Sequence, residues 1–350
     1  KNEMNIKESL KKITDKEDLK FEEMQEVSLD IMSGKVTDAQ IGAFLIALRM
    51  KGETIDEIAA AATAMRQVSL KVPLKNREII DTCGTGGDSS HSFNISTTAA
   101  FVAAAAGISV AKHGNRSASG STGSADLLEA GGAKIDLTPP QIQQCLEDLG
   151  IGFMFAPAHH KATKHVFNPR REIGVRTIFN FLGPLTNPAS AKAQVIGVFD
   201  TLWVRKIASV LHRLGSERAI VLSSHRGMDE IAIDSPTKLV ELSNNGRITE
   251  YEISPETFGI KIQEHSSLVA NSPKESLKIA KEVLQGVKGP AFDIVALNAG
   301  AAIYIGKGAT TLEDGVRQSK EILTSGLAIK KFDDFCSYTQ QFSKKSGGGL

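Results

Sequence analysis

From Pro73 onward the chain alternates short apolar segments with longer segments of helical pattern. "EIIDTC" leads into a glycine loop and an alanine-rich run, "ISVAKH" into "GSADLLEAGG", and "AKIDL" into "TPPQIQQCLEDLG", where Thr138, two prolines and a closing glycine are helix start and stop signals. "IGFMFA" follows, and after an interruption the alternation resumes with "QVIGVF", the helical "TLWVRKIASVLHRLG" and "RAIVLSS". Apolar runs of strand length separated by helix-length spacers predict βαβ units around a mainly parallel sheet. "TKLVELSNNGRITEYEI" predicts a hairpin with an Asn-Gly turn, the last 80 residues read as mostly helical, and "SGGGL" reads as a frayed end.

No strand pattern precedes Pro73. "TDAQIGAFLIALRMKG" opens with the capping pair Thr37 and Gln40 and carries Ile41, Phe44, Leu45 and Leu48 on one stripe. "TIDEIAAAATAM" repeats the device with Thr54 and Glu57. The expected fold class is therefore α/β: a small all-helical domain plus a larger α/β domain with a mainly parallel central sheet. Residues 1–72 form the first, joined by a returning segment at about 163–190; residues 73–162 and 191–350 form the second.

The composition narrows the classes. A net charge of +1 gives no electrostatic case for a nucleic-acid partner. The cysteines, Cys83, Cys145 and Cys336, are odd in number and form no CxxC pair, which argues against a disulfide framework or a cysteine zinc site. The most apolar run, "TTAAFVAAAAGISVA", is too short for a bilayer, and the charged N-terminus shows no signal core. The expectation is a cytoplasmic protein with no membrane partner.

"DTCGTGGDSSHSFNISTTAAF", from Asp81, places three glycines and an aspartate before a helix start. It has neither the Lys-Ser/Thr of a P-loop nor the third glycine of a dinucleotide fingerprint. Gly84, Gly86 and Gly87 allow close approach to the main chain, and the following helix start at Asn94, Ser96, Thr97 and Thr98 presents free N–H groups; both suit a phosphate. The same residues also suit a tight turn before a buried helix. "KHGNRSASGSTGSAD", after a strand, offers Lys112 and Arg116 among hydroxyls; it reads as a second phosphate grip or as a polar loop. Asp229 and Glu230 are adjacent after "RAIVLSS" and read as hard-oxygen Mg²⁺ ligands or as a solvated surface pair.

Taken together, "GTGGD", "FNIST", "KHGNR", "GSAD", "GVRTIFNFLGPLTNP" and a "DE" after a glycine closely resemble the anthranilate phosphoribosyltransferase family of tryptophan biosynthesis, in order and at suitable spacing. The resemblance implies attack of the anthranilate amine on C1 of 5-phosphoribosyl 1-diphosphate, release of pyrophosphate, a Mg²⁺ cofactor, a fold like that of nucleoside phosphorylases and phosphoribosyltransferases, and a homodimer through the helical part. Carried over by position, Gly84, Gly87, Asp88, Ser92, Asn94, Ile95, Ser96 and Thr97 contact the donor. So do Lys112, His113, Gly114, Asn115, Arg116, Ser117, Ala118, Ser119, Gly120 and Ser124. Gly84, Asn115 and Arg170 contact anthranilate, and Ser96, Asp229 and Glu230 hold the metal. His113 is the sole, weak, candidate for a base. Two other classes compete: a nucleoside phosphorylase of the same fold, disfavoured by "KHGNR" and "GVRTIFNFLGPLTNP", and a silent phosphoribosyl-ligand binder, which needs no two-substrate and metal set. The sequence departs from the family at Ser89, where glycine is usual, at His91, and in "HHKATKHVFNPRRE". These departures bear on loop mobility, donor affinity and the anthranilate entrance.

Overall fold

A computed structural model describes residues 4–74, 78–117 and 122–343. Ala118, Ser119, Gly120 and the closing "SGGGL" lie outside the described residues.

The N-terminal helices are α1 (Ile6–Thr14), α2 (Phe21–Met32), α3 (Asp38–Lys51) and α4 (Ile55–Gln67). Both expected capping boxes form. Thr37 Oγ1 accepts the Gln40 N–H at 3.3 Å while Gln40 Oε1 accepts the Thr37 N–H at 3.2 Å. Thr54 and Glu57 exchange the same bonds at 3.1 and 2.8 Å. Each pair satisfies N–H groups that a helix start leaves without partners. Glu57 is fully buried, and Lys51 neutralises it at 3.0 Å. Ile41, Phe44, Leu45 and Leu48 are buried as their stripe predicts.

Seven strands form one sheet in the order β3-β2-β1-β4-β5-β6-β7. They are β1 (Ile80–Gly84), β2 (Val110–Gly114), β3 (Ile151–Phe155), β4 (Ala193–Gly197), β5 (Arg218–Ser224), β6 (Thr237–Leu242) and β7 (Ile248–Ile253). The first five are parallel, and the expected hairpin supplies the antiparallel β6 and β7. The apolar run "TTAAFVAAAAGISVA" divides into helix α5 (Ile95–Ala105) and the start of β2.

One expected strand is absent. "AKIDL" buries Ala133, Ile135 and Leu137 alternately, a strand-like pattern, yet joins no sheet. The Lys134 N–H donates instead to Thr339 Oγ1 at 3.0 Å, in the helix Leu327–Gln340. The alternation reports packing against helices.

Each face of the sheet has its own core, because successive strand residues point to opposite sides. Val195, Ile220, Leu222 and Leu239 pack with α5 and the helix Pro290–Ile305. Ile196, Val198, Val221 and Val240 belong to the second core, with the helix Thr201–Arg213 packed on β5 and β6 and residues of α2, α3 and α4 behind it. Val166, Ile178, Phe181, Leu182 and Leu185, from the segment between β3 and β4, belong to the second core. The chain thus leaves the sheet after β3, packs among the N-terminal helices and returns at β4. Its passages are stitched together: Leu70 N–H donates to His159 O at 2.8 Å, His159 Nδ1 lies 2.7 Å from Leu70 O, and Val72 N–H donates to Pro188 O at 3.0 Å.

The first core also contains the tight contact of Pro290–Ile305 with the helix Leu312–Ser325. A Cβ on Gly300 would lie 2.6 Å from the Val316 backbone nitrogen, so neither helix can yield without moving main chain. Gly300→Ala should therefore destabilise the protein by about 1–3 kcal/mol, read as a lower urea midpoint by circular dichroism. An unchanged midpoint would mean that the helices are not held at this distance.

Candidate active site

β1 pairs with β2 on one side and with β4 on the other, so the chain reverses its direction of travel across the sheet between β3 and β4. In open α/β sheets the crevice outside the carboxyl ends at such a switch point is the ligand position. Here those ends are Gly84 and Gly197, partners in the register. Asp229 occupies the space above them. A Cβ on Gly84 would lie 2.8 Å from Asp229 Cγ, and one on Gly197 3.0 Å from Asp229 Cα. The glycine loop leaves β1 at this point, with Gly86 and Gly87 at φ +67° and +71°. Gly86 N–H donates to Asp229 Oδ2 at 2.9 Å, and Asp229 N–H to Asp88 Oδ2 at 3.4 Å.

A cavity of about 530 Å³ opens over the loop. Every expected site residue that is described borders it, except Thr97. Thr97 is buried behind the helix start, where its N–H donates to Asn94 Oδ1 at 3.0 Å. Asn94 thereby caps α5, and the Ser96 N–H at the same helix start is hydrogen-bonded to the Glu230 carboxylate. Lys112 borders the cavity but is only 2% exposed: its Nζ donates to the Thr82 carbonyl and to Ser96 Oγ, the latter at 3.2 Å. Its charge acts on the cavity from below. Arg116 is engaged by Glu129 and by Asp126, the latter at 3.3 Å, and sits 5.6 Å from the Phe155 ring centre. Asn115 Oδ1 accepts the Arg116 N–H at 2.7 Å.

Arg170 reaches the cavity from the helix Lys164–Ile173, in the segment between β3 and β4. Its guanidinium lies 5.6 Å from the Phe179 ring centre, and among the described residues no carboxylate pairs with it. Burial pulls its pKa down, the sign of a cation lacking compensation. On the facing chemistry, burial and the neighbouring Asp88 push Asp229 up to about 8. Burial and Asp229 push Glu230 well above the carboxylate range, against the opposing effect of Lys112. The cavity therefore holds a cation with no carboxylate partner and a group of acids whose compensation by Lys112 and main-chain N–H groups is incomplete.

Two models of glycosyl transferase domains match the chain: the family's helical bundle domain over residues 7–69 and its a/b domain over residues 76–329. Anthranilate phosphoribosyltransferase of Marinomonas sp. (strain MWYL1) is 53% identical over 342 residues, 97% of this chain and 98% of its own. That of Alkalilimnicola ehrlichii is 50% identical over 338 residues, covering 97% and 100%. The chain belongs to the anthranilate phosphoribosyltransferase family. The solved structures agree. The enzyme from Thermus thermophilus superposes with a TM-score of 0.90 at 41% identity, covering 95% of this chain and 99% of that one. The enzyme from Saccharomyces cerevisiae in complex with PRPP and Mg gives 0.88 at 26% identity, covering 96% and 98%. The same yeast enzyme has been solved in complex with 4-fluoroanthranilate.

The structure adds residues to this family site that sequence reading passed over. Phe179 and Asn180 border the cavity beside Arg170, and Arg176, stacked 3.9 Å from the Phe199 ring centre, donates to the Gly87 carbonyl. All three stand in the quoted "GVRTIFNFLGPLTNP", but nothing local marks which of its side chains turn toward the loop. His113 Nδ1 lies 3.1 Å from the Gly183 carbonyl, and its ring is 5.0 Å from that of His160. Burial and the nearby His160 and His159 hold its pKa well below the ordinary histidine value. So weak a base is poorly matched to taking a proton near neutral pH.

His160 itself is pushed down to about 4, first by burial and then by His159. The unfolded chain protonates this histidine near pH 6.5 and the folded chain only near 4, so stability is full above 6.5 and falls as pH drops through that window. Each histidine so shifted contributes a slope of about 1.4 kcal/mol per pH unit. His160→Gln should flatten the decline of the urea midpoint between about pH 6.5 and 4.5; equal slopes in both proteins would contradict this.

Proposed function

We infer that the protein transfers the 5-phosphoribosyl group from 5-phosphoribosyl 1-diphosphate to the amine of anthranilate, releasing pyrophosphate, as a step of tryptophan biosynthesis. One observation carries the reading: a single cavity combines an N–H-rich glycine loop, a group of buried acids and a guanidinium without a carboxylate. The first two answer a metal-bound diphosphate and the third an aryl carboxylate. The yeast complexes with PRPP and Mg and with 4-fluoroanthranilate support the pairing.

Mg²⁺ suits the donors. Asp88, Asp229 and Glu230 offer hard oxygens, desolvation raises the cost of charge on Asp229 and Glu230, and a divalent cation would relieve that cost. Among the described residues no three acids, histidines or cysteines are grouped closely enough to hold a metal alone, and oxygens of the bound donor would supply the further ligands. Asp229, Glu230 and Ser96 would hold the ion. When bound, Mg²⁺ offsets the negative charge that grows on the departing diphosphate.

The chain's own residues do the rest. The N–H groups of the glycine loop and of the start of α5 stabilise the leaving group through fixed dipoles. Arg170 binds the substrate carboxylate with its planar fork, and Asn115 helps hold the amine toward C1. The displacement has oxocarbenium character and needs no protein nucleophile. The donor site extends through Lys112–Ser117 and Ser124, with Lys112 adding charge from beneath. The helical part is 1–72 with about 163–190, and the exposed Met50 and Phe167 on it support a homodimer through that part. Among the described residues no helix is long and apolar enough to cross a membrane.

The first test is the decay of anthranilate fluorescence with the purified protein, the donor and Mg²⁺, beside an EDTA control. Decay that needs both donor and Mg²⁺ is expected; folded protein that leaves anthranilate untouched would refute the reading. Asp229→Asn with Glu230→Gln should lower kcat by about 10²–10³-fold without unfolding the protein. Arg170→Ala should raise the KM for anthranilate by about tenfold to a hundredfold. A change confined to the donor KM would assign Arg170 to the other substrate.

A further inference from the structure

The loop between Asp88 and Phe93 takes a conformation that its residue types disfavour. Ser89 and His91 stand at φ +59° and +52°, the left-handed region that residues with a Cβ enter at a cost. Both side chains are exposed, so neither is held there by its own contacts with the core. Between them the inward side chains bond to one another. Asp88 Oδ1 accepts the Ser90 N–H at 3.1 Å and the Ser90 hydroxyl at 3.0 Å, and the Ser90 and Ser92 hydroxyls lie 2.8 Å apart. These bonds are local and would tolerate other shapes of the loop.

Asp88 at the start of the loop accepts the Asp229 N–H at 3.4 Å, and the external fastening beyond it comes from residues 265–270. Leu268 O accepts the Phe93 N–H at 2.8 Å, His91 O accepts the Ala270 N–H at 3.0 Å, and Ser92 forms an antiparallel bridge with Val269. These main-chain ties anchor His91, Ser92 and Phe93. The middle of the loop is reached by a side chain: His265 Nε2 lies 3.0 Å from the Ser90 carbonyl and 3.4 Å from Ser92 Oγ. A carbonyl only accepts, so Nε2 carries the proton. His265 does not border the cavity, whereas Asp88, Ser90 and Ser92 do.

We propose that His265 is a positioning residue for the diphosphate-binding loop, fixing the Ser90 peptide so that Asp88 and Ser92 face the donor while Ser89 and His91 remain left-handed. It acts through the loop and touches no substrate. The proposal rests on the functional reading above only in naming the donor as the loop's ligand.

Three substitutions test it. His265→Ala should raise the KM for 5-phosphoribosyl 1-diphosphate by about three- to tenfold, leaving the anthranilate KM and kcat at saturating donor unchanged. His265→Gln, which keeps an N–H donor, should recover most of the loss. Ser89→Gly placed on His265→Ala should recover part of it, because glycine takes the left-handed conformation without penalty. An unchanged donor KM, equal rises in both KM values, or a glutamine variant as impaired as alanine would overturn the proposal. Should His265→Ala unfold, His265→Gln and Ser89→Gly each compared with the parent decide the matter: the first must stay near the parent in donor KM and the second must not exceed it. Calorimetric titration of the donor with Mg²⁺, without anthranilate, should show the same shift in Kd. It separates this idea from the proposed reaction, since donor binding that is insensitive to His265 refutes the positioning role whether or not turnover occurs.

Discussion

Asp229 lies in a gap between β1 and β4 that exists only because Gly84 and Gly197 lack side chains. Much of the site follows from that lodgement. The carboxylate sits where parallel strands end and where the sheet's order reverses, so it meets the glycine loop as the loop leaves β1. It accepts the Gly86 N–H and thereby sets the loop's first turn. It also stands beside Asp88 and next to Glu230, and desolvation together with crowded like charge is why Asp229 and Glu230 resist ionising by themselves. A folded protein tolerates such a cluster when a ligand supplies the missing charge, and clusters of this kind mark functional sites.

The two cores explain how the second substrate's residues come to the same place. A sheet with apolar residues on both faces must be covered on both. One face is covered by helices that follow the strands, as in any βαβ series. The other is covered by the helix Thr201–Arg213, which packs on β5 and β6, and behind it by the N-terminal helices and the segment between β3 and β4, whose Val166, Ile178 and Phe181 are buried there. Packing of that apolar stripe carries Arg170 and Phe179 over the strand ends. The guanidinium's position is thus a by-product of core formation, achieved without a dedicated loop.

What could be read in advance was what is encoded locally. The caps at Thr37 and Thr54, the parallel strands, the hairpin around Asn245-Gly246 and the helix start at Asn94 depend on residues within a few positions of one another. The resemblance of the motifs to a known family then added Arg170 and chose the metal reading for the adjacent Asp229 and Glu230, which no spacing rule joins to it. What escaped was long-range. The pattern of "AKIDL" is that of a strand, and only the distant Thr339 shows where its N–H goes. Lys112 reads as a phosphate-binding cation, but the positions of Thr82 and Ser96 draw its ammonium into the floor. His265 and Arg176 hold the carbonyls of Ser90 and Gly87 from distant parts of the sequence, and no local signal distinguishes them from surface residues.

The stitched passages of chain between the helical part and the sheet have a mechanical consequence. Leu70 is bonded to His159 and Val72 to Pro188, so three separate crossings run side by side as one narrow seam. Sliding the two parts past each other would strain all three crossings at once. The same parts are also joined through the second core and through Lys206, whose Nζ donates to the Glu53 carbonyl at 2.8 Å, so the seam is one of several ties that set the distance between Arg170 and the glycine loop.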